Sequence, residues 1–249
     1  MSPHSSSNPT PAARLRMLVK RSGIPAVARW FIRQLRPARP ASEVFTKIYE
    51  SRTWGDGPSV SGDGSSLEQT RRWRAEVPEL FARLGIESML DAPCGDFFWM
   101  REVAGLPASY VGGDIVPALI EGNRSKYADP GRRFEVLDIV RDPIPRVDLI
   151  HCRDCLVHLP LAMAKQAIAN FKQSGSTFLL TTTFPRTGRR NIDISIGEWR
   201  PLDLELAPFG FPPPLWSLAE VPELSADGIT HFKHLALWKL ADLPADGPA

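Results

Sequence analysis

The chain has 249 residues, 43% of them hydrophobic, which is enough for one large domain or two small ones, and its three cysteines are too few for a disulfide framework. Its formal charge of +2 hides a split: residues 1–42 hold eight Lys/Arg and no acid, whereas residues 43–249 hold 22 basic and 28 acidic side chains. The mildly acidic body disfavours a nucleic-acid groove, no apolar run reaches the ~20 residues of a bilayer span, and no secretory apolar region opens the chain, so a cytoplasmic protein is expected.

Residues 1–12, MSPHSSSNPTPA, are rich in Ser and Pro and read as disordered. Residues 13–36 interleave Arg and Lys with Leu, Val, Ile, Trp and Phe. This basic arm is read in three ways: an amphipathic segment on an anionic membrane, an organellar transit segment, or a solvated arm. The folded domain is expected over 43–241, with a disordered tail at 242–249. It begins with a helix, EVFTKIYESRTWG, ending at Gly55, followed by the polar loop DGPSVSGDGSS at 56–66. A second helix spans 67–85, interrupted at Pro78 and stopped at Gly85.

Strands and helices then alternate. The strands are SMLDA (88–92), YVGGDI (110–115), FEVLDI (134–139), VDLIHC (147–152) and TFLLTTTF (177–184). Helical segments fall between them at 99–106, 117–128 and 161–172. This alternation predicts an α/β fold, a Rossmann-like, mostly parallel seven-stranded sheet with helices on both faces. An antiparallel hairpin, 214–221 with 231–240, closes it.

Ligands of such sheets bind beyond the carboxyl ends of the strands, so the residues there carry the functional reading. Strand one ends in Asp91, followed by a turn through Pro93, Cys94, Gly95 and Asp96. A glycine in this turn lets backbone approach a polar ligand tail closely. Strand two ends in Asp114, 23 residues on, where a carboxylate can accept both hydroxyls of a ribose. Strand three ends in Asp138, which can accept from an adenine amine, with Ile115 and Ile139 placed to sandwich the ring. A single strand-end aspartate is commonly only a turn or cap residue; three at these spacings describe a nucleoside site.

The run LDAPCGDF, GGDIV, LDI, DLIHCRDCLVHL and STFLLTTTF, closing with a β-hairpin, resembles the class I S-adenosylmethionine-dependent methyltransferase family over residues 67–240. CRDCLVHL and WG…SVSG.GSS are also similar to those of a bacterial subgroup. The resemblance implies S-adenosylmethionine as cofactor: Asp91 and the 93–96 turn at the methionine moiety, Asp114 at the ribose, Asp138 and Ile139 at the adenine, and Cys152 supplying backbone. The family's first loop is richer in glycine; here Pro93 and Phe97 stand where outer glycines would be. A nicotinamide-dependent oxidoreductase, the competing enzyme class, would carry G-x-G-x-x-G, and Asp96 would repel its pyrophosphate. A non-catalytic nucleoside-binding module on the same fold is the third reading.

Methyl transfer to a hydroxyl calls for a base. Asp154 and His158, four apart, share a face if a helix starts near 154, so Asp154 can orient His158 as that base; alternatively, Asp154 caps the helix and His158 only packs. The acceptor is expected to be a small molecule or a sugar or glycan, probed by Trp54, Arg153 and the long insert 185–213, with Glu198, Trp199 and Arg200 its candidate contacts. Arg189 and Arg190 would attract an anionic acceptor. A structureless insert of this length reads as a lid or binding loop. HCRDCLVHL also has the look of a metal site or redox pair, but a structural zinc site usually draws four ligands from two knuckles, and only one C-x-x-C is present. No metal is therefore expected.

Overall fold

The computed structural model describes residues 39–55, 57–185, 190–224 and 230–244. The basic arm at 13–36, Arg186, Arg189, the turn at 225–229 and the end of the tail lie outside the described residues. Helix α1 spans Ala41–Glu50, two residues ahead of its expected start, and its Ala41, Phe45, Ile48 and Tyr49 stripe faces inward. It ends at Glu50 rather than Gly55 because Ser51 and Thr53 satisfy its last carbonyls through turns. Helix α2 (Arg71–Leu84) runs unbroken through Pro78. Its apolar face, Trp73, Val77, Leu80 and Phe81, is buried, and that packing outweighs the hydrogen bond that the proline removes. Gly85 ends it in the left-handed conformation, φ 65°.

Strands β1 (Ser88–Asp91), β2 (Ser109–Asp114), β3 (Arg132–Val136), β4 (Leu149–Cys152) and β5 (Phe178–Thr183) pair in parallel. Helices α3 (Pro117–Tyr127) and α4 (Leu161–Gln173) form two of the crossovers. After β6 (Trp216–Ala219), a short ladder joins β7 (Glu223–Leu224) to β8 (Thr230–His231). Strand β9 (His234–Lys239) inserts antiparallel between β5 and β6, giving the order β3-β2-β1-β4-β5-β9-β6. Order reverses at β1, which lies between β2 and β4. That reversal opens a crevice outside the strands' carboxyl ends.

Both faces of the sheet are buried, and the two-residue period shows it. Leu90, Ile150 and Leu179 belong to one core cluster, and Met89, Leu149 and Leu180 to the other. Two expected elements differ. Residues 99–106 form only a 3-10 turn at Met100–Glu102. Strand β3 ends at Val136, so Asp138 lies in the following turn, where its Oδ1 accepts from Val140 N (2.9 Å). The described part of the 185–213 insert has no helix or strand, and its second half is built into the core. Leu202, Leu204, Phe209 and Phe211 are buried in the core, and Arg200 N and Phe184 N bond to Val157 O and Leu202 O (3.2 and 2.9 Å). Its apolar residues pay off by burial, which a mobile loop would forgo.

Candidate active site

A cavity of about 480 Å³ fills the crevice at the β1–β4 reversal. The turn after β1, the ends of β2 and β4, the turn after β3, α1 and the 54–65 loop all contribute to its lining. Its size falls in the range of roughly 300–1,000 Å³ typical of small-molecule sites.

Asp91 is buried at the bottom of this cavity and doubly held. Its Oδ2 accepts from the Tyr110 hydroxyl (2.5 Å), and its Oδ1 lies 2.7 Å from His151 Nδ1. Trp73 Nε1 is 3.1 Å from His151 Nε2. An indole N–H can only donate, so Nε2 accepts and Nδ1 carries the hydrogen that goes to Asp91. Three buried side chains from α2, β2 and β4 thus fix one carboxylate. His151 belongs to this chain and is not available as a metal ligand.

The turn after β1 is tied down from several sides. Gly95 N donates to Asp114 Oδ2 (3.1 Å), and Asn123 Nδ2 donates to Gly95 O (2.7 Å). Gly95 sits at φ 53°, and a methyl there would run into the Ser61 hydroxyl. Glycine is therefore required twice over, by conformation and by space. Ala92–Pro93 is a cis peptide. Asp114 also accepts from Val116 N (2.9 Å), and burial raises its carboxyl to about 6 despite these backbone bonds. Pro93, Cys94, Ile115, Asp138 and Ile139 line the same side.

Asp96 lines the cavity beside the rest of the turn and also anchors a loop. Its Oδ1 accepts from the Ser59 hydroxyl (3.0 Å) and its Oδ2 from Val60 N (2.9 Å), pinning the polar loop onto the turn after β1. Arg153 completes the attachment by donating from Nη1 to Gly64 O (2.9 Å). The two segments SVSGDGSS and CRDCLVHL, far apart in sequence, are therefore direct partners.

Asp154 and His158 do not form the expected pair. Asp154 is at φ 51°, and the chain continues as a 3-10 turn, Leu156–His158, so the four-residue helical spacing is lost. Asp154 instead meets Arg153 Nη1 and Lys233 Nζ, each at 3.0 Å, and Thr182 Oγ1 at 3.1 Å. Burial opposes its charge, but the two cations hold its carboxyl well below the usual carboxylate range. Arg153 also pairs with buried Glu220 (2.9 Å) and lies over the Trp99 ring. Asp154 and Arg153 are thus anchoring groups on the cavity wall.

His158 is half-buried and lines the cavity. Its Nδ1 is 3.0 Å from Glu198 O, and a carbonyl only accepts, so Nδ1 carries the hydrogen and Nε2 keeps a lone pair. Burial lowers its pKa below the ordinary histidine value, keeping the ring neutral at pH 7. Trp54 stacks on it, with centroids 4.8 Å apart and planes at 30°. The group that orients the imidazole is thus a backbone carbonyl of the insert rather than Asp154.

Three expected site residues stand apart from the cavity lining. Cys152 is wholly buried in the core; its carbonyl is taken by the Thr181 hydroxyl (2.6 Å). Arg200 is buried and donates to Leu156 O and Val157 O (3.3 and 3.1 Å), bracing the turn that carries His158. Glu198 is exposed, and its carboxylate accepts from Ser195 N (2.8 Å). Trp199 does line the cavity, backed by Phe184 and His231. Arg190 is exposed. Among the described residues, no three His, Cys, Asp or Glu side chains converge as a metal cage. Burial raises the Cys94 thiol, and a hydrogen bond with Cys155 followed by burial raises Cys152, which disfavours the thiolates that zinc or redox chemistry needs.

The sequence reading missed Tyr110, Trp73, Lys233 and the α1 wall. The α1 stripe was legible as helical periodicity, but nothing local marked it as cavity lining. Lys233, in HFKHLALW, was a charge in an apolar strand segment, the one available sign of a buried partner.

No protein-family model and no curated protein matches this sequence. Solved structures do match in fold. The N-methyltransferase NodS from Bradyrhizobium japonicum, solved with S-adenosylhomocysteine, superposes with a TM-score of 0.55 at 15% identity, covering 78% of this chain and 97% of that one. The 1,6-didemethyltoxoflavin N1-methyltransferase of Burkholderia thailandensis gives 0.55 at 17% identity, covering 82% and 92%. Magnesium protoporphyrin IX methyltransferase from Synechocystis, solved with S-adenosylmethionine, gives 0.51 at 14% identity, covering 81% and 99%. The chain has the Rossmann-like fold of the class I S-adenosylmethionine-dependent methyltransferases.

Proposed function

We propose that the protein is an S-adenosylmethionine-dependent methyltransferase acting on the hydroxyl of a small-molecule acceptor. The observation that carries this reading is one cavity at the β1–β4 reversal that joins a nucleoside-type set of carboxylates to an imidazole with an unshared lone pair. On sequence alone, CRDCLVHL and SVSGDGSS extend the reading to a bacterial subgroup, and their direct contact through Arg153 and Gly64 supports treating them as one unit. Of the contacts expected for a sugar or ring acceptor, Trp54, Arg153 and Trp199 line the cavity, whereas Glu198 and Arg200 do not.

The residues present fit the cofactor. Asp114 is a buried carboxylate on the cavity lining, raised by burial despite its backbone bonds, and the two hydroxyls of a ribose would be further donors to it. Asp138 and Ile139 would hold the adenine, with Ile115 on its other side. Asp91, fixed by Tyr110 and His151, retains lone pairs for the ammonium of the methionine end. When bound, S-adenosylmethionine supplies a methyl group on a positively charged sulfur. The protein's part is then to position the acceptor, exclude water and take a proton. Neutral His158 takes that proton at Nε2, and Glu198 O holds its ring in the required tautomer.

Isothermal titration of the full chain with S-adenosylhomocysteine and with NADH tests the reading. Binding of the first alone supports it; binding of NADH alone ends it.

A further inference from the structure

The cavity has two chemically different sides. One is the carboxylate side formed by the strand ends. The other is built by α1, Trp54, Trp199 and the turn bearing His158. On this second side α1 presents Phe45, Ile48 and Tyr49, half-buried where they front the cavity, while its charged residues Glu43, Lys47 and Glu50 are exposed on the opposite face. Phe45 tilts onto Trp54 (6.0 Å, 57°), and Trp54 stacks on His158. The lone pair of His158 Nε2 therefore belongs to an aromatic wall, and the skeleton carrying a hydroxyl bound there has to lie against that wall. Ser61, Ser65 and Gln69 line the cavity nearby, but α1, Trp54 and Trp199 offer mainly ring and aliphatic carbon, and sugar hydroxyls left unpaired against that wall would oppose binding. An anionic acceptor would need a cation, and the nearby cations Arg153 and Lys233 are already paired with Asp154 and Glu220.

We infer that the acceptor is an uncharged aromatic alcohol, a phenol-type hydroxyl on a one- or two-ring planar skeleton held by Trp54, Phe45 and Tyr49 with its hydroxyl on His158 Nε2. This rests on the methyltransferase reading. In the reaction the phenolic O–H bond breaks and its proton passes to Nε2. The oxygen's electron pair forms the O–CH3 bond as the S–CH3 bond breaks, leaving S-adenosylhomocysteine and a methyl ether; the imidazolium then loses its proton to water. The acidity of the acceptor agrees with the weakness of the base. Burial makes His158 a poorer base than free imidazole. A phenol ionises near pH ~10, as tyrosine does, whereas an aliphatic hydroxyl, like water, ionises only at far higher pH. The smaller mismatch favours the phenol.

The test uses the full chain saturated with S-adenosylhomocysteine. Phenol and 2-naphthol are titrated against their saturated counterparts, cyclohexanol and decahydro-2-naphthol, and against methyl glucoside, read by tryptophan fluorescence and calorimetry. At least one phenol is expected to bind about tenfold more tightly than its saturated counterpart and than the glucoside. Trp54→Ala should remove most of that preference, and Trp54→Phe should keep it. With S-adenosylmethionine, the preferred phenol should release S-adenosylhomocysteine. Normal S-adenosylhomocysteine binding without a phenol preference, or a preference that survives Trp54→Ala, overturns the aromatic acceptor and leaves the methyltransferase reading standing. Failure to bind S-adenosylhomocysteine overturns both.

Discussion

His158 and Asp114 carry opposite demands on protonation. His158 must be neutral at Nε2, and its depressed pKa keeps it so to lower pH than an ordinary histidine. The acid limb of a pH–rate profile is therefore expected below pH ~6.5. His158→Gln should lower turnover by about 10²- to 10⁴-fold with S-adenosylhomocysteine affinity within about twofold, as measured by product release and calorimetry. Asp114 must be ionised to accept ribose hydroxyls, and its carboxyl is raised to about 6 in the free protein. Below that pH it is protonated, so affinity for S-adenosylhomocysteine should weaken about tenfold between pH 7 and pH 5. Asp114→Asn should bind weakly at both pH values and abolish the dependence. Two calorimetric titrations decide this.

The polar 54–66 loop owes its place to side chains of other elements. Asp96 holds Ser59 and Val60, Arg153 holds Gly64, and Ser61 fits over Gly95 only because no methyl stands there. Gly95→Ala should therefore cost about 1–3 kcal/mol of stability through strain and overpacking, and should weaken S-adenosylhomocysteine binding. Ser59→Ala should spare the global stability but loosen the loop, seen as faster hydrogen exchange at 60–66. Element boundaries were legible where local chemistry sets them, as at Gly85. They were not legible where packing decides. Pro78 lies inside α2 because Trp73, Val77, Leu80 and Phe81 are buried around it, and Leu202, Leu204, Phe209 and Phe211 of the 185–213 insert join the core because they find partners far away in sequence.

Across the whole molecule, the buried ions join the C-terminal strands to the site. Lys233, in the turn before β9, reaches Asp154 after β4, and Glu220 reaches Arg153. Lys233→Met would leave half-buried Asp154 with one cation in place of two. It should cost about 3 kcal/mol, lowering the melting temperature by roughly 6–12 °C for a domain of this size. Calorimetric scans of the two proteins check this. A shift under one degree would mean that the cluster is held by other contacts.

Sequence alone determined the α/β alternation, the cavity's position at the strand ends and the carboxylates Asp91, Asp114 and Asp138 that face it. These depend on short-range periodicity and on a topology rule that holds for every open parallel sheet. Only the tertiary structure decided the partners. It gave Asp154 to Lys233, assigned the orientation of His158 to Glu198 O, turned Asp96 into a loop anchor and placed α1 as an aromatic wall. The reason is distance along the chain. A hydrogen bond or ion pair is fixed by a few ångströms and an angle, and residues 79 positions apart, as Asp154 and Lys233 are, acquire that geometry only when the whole sheet has closed.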